Sequence, residues 1–105
     1  MNSDVRVVGM VWYRSEDYDA IRRIMADGNI FSTSFLIWRM EAETGEKKLR
    51  RNGHTVVRVF IDPETFPDWC RTRGLNIDAK ARTTFADGVA YETVRSSHGE
   101  TGGVR

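Results

Sequence analysis

Apolar positions along the chain change period several times, and each change marks an element. Val5 to Tyr13 is rich in β-branched and aromatic residues with only Arg6 polar, which predicts a strand. It ends at Arg14, with Ser15 as a candidate N-cap and Glu16 and Asp17 as first-turn acids facing the helix dipole. Tyr18, Ile21, Ile24 and Met25 then recur at helical spacing, predicting a first helix over Glu16 to Ala26 that Asp27, Gly28 and Asn29 close. From Phe31 onward, Phe35, Trp38, Ala42 and Leu49 step by three, four and seven while charged residues take the other faces, predicting a second, amphipathic helix. Glu43 with Lys47 and Glu46 with Arg50 stand four apart in the favourable order. Gly45 weakens this helix by about 1 kcal/mol against Ala, and a hairpin turning at Thr44 and Gly45, with a strand over Phe35 to Met40, is the rival reading.

Asn52 and Gly53 end that helix, and the β-branched run His54 to Ile61, broken by Arg58, predicts the second strand. Asp62 and Pro63 suit the N-cap and first position of a third helix, which turns Phe66, Trp69 and Cys70 inward and stops at Gly74. Asp78 caps a fourth helix through Ala81, Phe85 and Ala86 that Gly88 ends. Val89 to Arg95 reads either as a short third strand at the sheet edge or as a frayed helix, and residues 96 to 105 as a disordered tail. The expectation is one α+β domain over residues 1 to 95 in the order β-α-α-β-α-α. Short connections that reverse the chain at every element make the two strands antiparallel.

Several groups of residues also resemble a family of short, functionally uncharacterised bacterial proteins. They are Val11-Trp12-Tyr13-Arg14, Asp17-Tyr18, Ser34-Phe35 with Trp38, Ala42-Glu43, Ile61-Asp62, Phe66, Trp69-Cys70, Gly74-Leu75, Ile77-Asp78 and Ala81-Arg82. The likeness covers most of residues 8 to 86. It implies the same order of strands and helices and carries no activity.

Composition narrows the field of functions. A formal charge of +1 over 105 residues is not the basic field of a non-specific nucleic-acid binder. The excess of Arg over Lys, 13 to 3, suits bidentate contacts to phosphate or carboxylate, but such a bias also follows from a GC-rich genome. One cysteine allows neither an internal disulfide nor a thiolate-rich zinc site and fits a reducing, cytoplasmic setting. No apolar stretch approaches the roughly 20 residues that span a bilayer, and the N-terminus does not read as a secretion signal.

Candidate chemistry is sparse. Cys70, beside Arg71, has no base at hand: His54 begins a strand and His98 lies in the tail, so an inert core thiol is expected. Those two histidines show no metal-ligand spacing, and no cofactor is expected. Of Asp4, Asp17, Asp62, Glu64 and Asp78, four stand where helices begin and serve as caps or dipole partners. Gly99, Gly102 and Gly103 form no phosphate loop. Two binding surfaces remain: the aromatic cluster Trp12, Tyr13, Arg14 and Tyr18, which suits a protein interface or core packing, and the basic run Lys47, Lys48, Arg50 and Arg51, which suits phosphates or a helix C-terminus. The sequence thus points to a non-catalytic interaction or regulatory module, with a nucleic-acid accessory protein as the alternative. Open edges of a two-stranded sheet add self-association, in the form of a C2 dimer, as a further expectation.

Overall fold

A computed structural model describes the backbone of residues 6–103 and side chains as far as Ser96. Asp4, the strand start at Val5, the side chain of His98 and residues 104–105 lie outside the described residues. The described residues form an α+β fold of two strands and four helices: β1 (Arg6–Trp12), α1 (Tyr18–Ile24), α2 (Phe35–Arg51), β2 (His54–Phe60), α3 (Phe66–Thr72) and α4 (Ala79–Gly103), with single 3-10 turns at Ser15–Asp17 and Gly28–Ile30.

The two strands pair in parallel, Arg6 beside His54 through Trp12 beside Phe60, which overturns the antiparallel expectation. The physical reason lies in α2. At 1.5 Å per residue its 17 residues span about 25 Å, matching the roughly 23 Å of a seven-residue strand, so α2 alone returns the chain to its starting end. Trp38 near its start meets Trp12 at the end of β1, Gly45 passes Met10, and the Leu49 carbonyl near its end accepts from the His54 ring Nδ1 at 3.2 Å. The shorter α1 and the turn after it stay at the far end of the strands and contribute no reversal of their own.

Helices cover both faces of the sheet, as an all-parallel pair requires. On one face Met10, Trp12 and Arg58 look toward α2. On the other, Gly9 looks toward α4, and the approach is so close that a Cβ at Gly9 would fall onto the Ala86 carbonyl and within 3.1 Å of the Ala90 Cβ. This contact explains why α4 does not stop at Gly88: Ala90 is buried and Val94 half-buried beside Val7 and Gly9 on β1, so residues 89–95 are helix and not a third strand. The backbone of residues 96–103, where the sequence suggests a disordered tail, continues that helix.

Several local signals act as read from the sequence. Asp78 caps α4 by accepting from the Ala81 amide at 3.1 Å, whereas Asp62, expected to cap α3, accepts from the Glu64 amide at 2.8 Å in the turn before that helix, which starts at Phe66 with Thr65 as its N-cap and Pro67, not Pro63, in its first turn. Gly53 and Gly74 end α2 and α3 with φ of 91° and 67°, a region that costs glycine no Cβ clash. Others are displaced. Ser15 caps nothing and sits inside a 3-10 turn, whereas Ser34 caps α2 by accepting from the Ile37 amide at 3.3 Å. Gly45 lies within α2, not at a hairpin.

The main core gathers beyond the carboxyl ends of the strands, where Tyr13 and Ile61 meet Tyr18, Ile21 and Met25 from α1 and its end, Phe66 and Cys70 from α3, and Ala81 from α4. Open parallel sheets bind ligands in the crevice at this end. Here aromatic side chains occupy it.

Candidate interaction surface

Burial separates the aromatic cluster from the role of an interface. Trp12, Tyr13 and Tyr18 are 4, 4 and 1% exposed, so they hold the core and cannot meet a partner. Trp38 stands edge-on to Trp12 at 5.4 Å and lies 4.8 Å from Tyr13, and the Tyr18 hydroxyl donates to the Ser32 carbonyl at 2.5 Å. Burial pushes the Tyr13 phenol up to about 12 although the Arg82 guanidinium beside it favours the ionised form. Only Arg14 of the four reaches solvent, with its guanidinium 4.6 Å from the Phe60 ring centre and 3.9 Å from Asp17. The expected interface at these residues is therefore corrected to core packing plus one exposed cation. Their number and type indicated core in the sequence just as well, because large rings bury the most area.

Two ion pairs fix the helices. Glu46, only 6% exposed on α2, accepts from Arg58 of β2 at 2.7 and 2.8 Å and from Arg50 at 3.4 Å. Arg58 lies at the same time over the Trp12 ring, 3.9 Å from its centre. Hydrogen bonds from Arg58 outweigh desolvation and hold the Glu46 carboxyl below its usual range. At the other end, Arg82 of α4 donates to both oxygens of Asp27 at 2.8 and 2.9 Å and lies over the Phe31 ring, and Asp27 is likewise depressed by that hydrogen-bonded guanidinium.

These contacts divide the basic run. Arg50 turns to Glu46, while Lys47, Lys48 and Arg51 are exposed and, among the described residues, pair with no carboxylate. They share a solvent face with a second set of side chains that the sequence reading passes over. Leu36, Ile37 and Met40 are 68, 51 and 66% exposed on α2. The signal was present, since these three stand away from the stripe of Phe35, Trp38, Ala42 and Leu49, but periodicity assigns core to one face and says nothing of apolar residues left on the other. The row Ile37, Met40, Thr44, Lys47, Arg51 advances by three, four, three and four, so one exposed seam runs from apolar to cationic along α2.

Cys70 is fully buried, and burial pushes its thiol up, away from the nucleophilic thiolate. His54 is engaged with the Leu49 carbonyl. Among the described residues no group of three His, Cys, Asp or Glu is placed to hold a metal ion, and no helix is long and apolar enough to cross a membrane. An open groove of about 840 Å³ lies between α3 and α4, lined by Trp69, Arg73, Phe85, Val89, Tyr91 and Glu92. Its Arg73 guanidinium already covers the Trp69 ring at 4.4 Å. No family model, curated protein or solved structure matches the chain.

Proposed function

We propose that the chain is a non-catalytic protein-interaction module that docks its partner along the outer face of α2. The observation that carries this reading is the exposure of Leu36, Ile37 and Met40 together on one face of a helix whose opposite face is tied to the sheet by Glu46 and Arg58. Scattered exposed apolar residues are ordinary, but three within five positions form a patch of the kind that interfaces bury. Each returns about 1 kcal/mol or more when covered. In a test, the immobilised chain is offered a native lysate beside the variants Leu36→Glu and Met40→Glu, whose exposed sites leave thermal stability unchanged. Proteins retained by the parent and lost by both variants support the reading. An identical retained set overturns it.

The exposed cations Lys47, Lys48 and Arg51 favour a second reading, contact with nucleic-acid phosphates. Three contacts give weak binding, with log affinity falling against log salt at a slope no steeper than about −2.7. A variant with all three changed to Ala loses that slope if this reading holds.

A further inference from the structure

We propose that the partner supplies an amphipathic helix whose seam passes from apolar side chains to carboxylates, laid along Ile37, Met40, Thr44, Lys47 and Arg51. This rests on the reading of α2's outer face as the docking surface and names the class of partner. A helix packed against α2 meets its residues at steps of three and four, and this row has those steps. Over the first half it finds Ile37 and Met40, flanked by Leu36, which suit aliphatic knobs. Over the second it finds Lys47 and Arg51, flanked by Lys48, with no carboxylate of this chain paired to them among the described residues. The nearby Arg39 and Glu43 already pair with each other at 3.1 Å and leave the seam's charge unbalanced.

Charge excludes the simpler occupants. A wholly apolar helix would strip water from Lys47 and Arg51 without replacing it, which costs more than the added contact returns. A second copy fares no better. Antiparallel pairing centred on Thr44 sets Ile37 against Arg51 and Met40 against Lys47, and parallel pairing sets each cation against its own kind. An antiparallel pairing shifted onto Leu36 and Met40 covers three aliphatic side chains a side, far short of the roughly 800 Å² per partner of a stable interface. A phosphate backbone leaves the apolar half uncovered. A partner helix with leucine-like residues at one end and Glu or Asp at the other satisfies both halves, and carboxylate against cation fixes its direction.

The test uses the full chain and two stapled helical peptides of about 18 residues, the length of α2. Both carry leucines at one end of the seam, and at the other end one carries Glu and the other Lys. Calorimetry is expected to show the Glu peptide binding at least about tenfold more tightly than the Lys peptide, and losing that advantage in about 0.5 M salt. The double variant Lys47→Glu, Arg51→Glu is expected to reverse the preference while the chain still unfolds cooperatively, at a slightly lower temperature because acids then face the carboxyl end of α2. Equal affinity for the two peptides, or binding of neither, overturns the proposal. So does binding to phosphatidylserine vesicles or duplex DNA that the double variant abolishes while the peptides fail, or a solution mass of twice 12.0 kDa that Leu36→Glu abolishes. If Leu36→Glu loses the retained lysate proteins but the Glu peptide shows no preference, the docking surface stands and the partner class falls. If it loses nothing, both fall.

Discussion

Adding one methyl group at Gly9 tests the packing of β1 on α4 more sharply than any larger change. A Cβ there would sit 2.8 Å from the Ala86 carbonyl carbon, closer still to its oxygen, and 3.1 Å from the Ala90 Cβ. Ordinary contacts begin near 3.5 Å, so strand and helix must part by roughly 1 Å, and a gap of that size forfeits a quarter to a half of the attraction along the seam. Because the main obstacle is backbone, no neighbouring side chain can turn aside. Overpacking of this kind costs about 1–3 kcal/mol. Loss of glycine's freedom in the unfolded chain returns about 0.4–1 kcal/mol, so Gly9→Ala is expected to lose about 1–2 kcal/mol. The same change at Gly45 has the opposite sign: its Cβ would make an ordinary 3.5 Å contact with the Met10 methyl, and the helix gains up to about 1 kcal/mol. Urea unfolding separates the two, with midpoints moving in opposite directions at an unchanged slope. Gly9→Ala at or above the parent's stability, or Gly45→Ala as damaging as Gly9→Ala, would refute the reasoning.

Three further outcomes follow from the ion pairs and the buried thiol. Arg58→Met leaves the buried Glu46 carboxylate with Arg50 alone and is expected to cost about 2 kcal/mol, below the 3–5 kcal/mol of a fully buried pair because Arg58 is itself 39% exposed; a cost under half that, by urea unfolding, counts against the pair. Glu46 and Asp27 are both held below their usual range when folded, so their contribution is complete above the unfolded values near pH 4 and is lost as pH falls through the lower folded ones. Urea midpoints from pH 7 to pH 2 should show this loss, and the double variant Asp27→Asn, Glu46→Gln should flatten it; an unflattened acid limb would place it elsewhere. Cys70 is expected to react with a thiol reagent only when the chain unfolds, and Cys70→Ala to cost about 1–2 kcal/mol. Rapid labelling of the native chain at neutral pH contradicts the buried site.

Much of the local structure was legible in the sequence because its causes are local. β-branched runs made β1 and β2, the three-and-four spacing of Phe35, Trp38 and Ala42 made α2, Asp78 capped α4, and Gly53 and Gly74 supplied the left-handed residues that end two helices. Residues 89–95 were ambiguous because Val, Tyr and Thr suit either state. The close approach of Ala86 and Ala90 to Gly9, nearly eighty positions away in the chain, chose helix. The direction of β2 was equally out of reach, since it depended on α2 matching the strand in length while α1 did not. The candidate site divides in the same way. Lys47, Lys48 and Arg51 were visible as charge, and Trp12, Tyr13 and Tyr18 as large rings. That the rings face inward, and that Leu36, Ile37 and Met40 face solvent, was decided only when the sheet took one face of α2 and left the other uncovered. The sequence by itself determined β1, β2 and the place of each helix, with the apolar stripe of each, but not how far α4 runs beyond Gly88. Tertiary structure decided which apolar surfaces meet, because contact between distant segments depends on lengths and directions that no local pattern encodes.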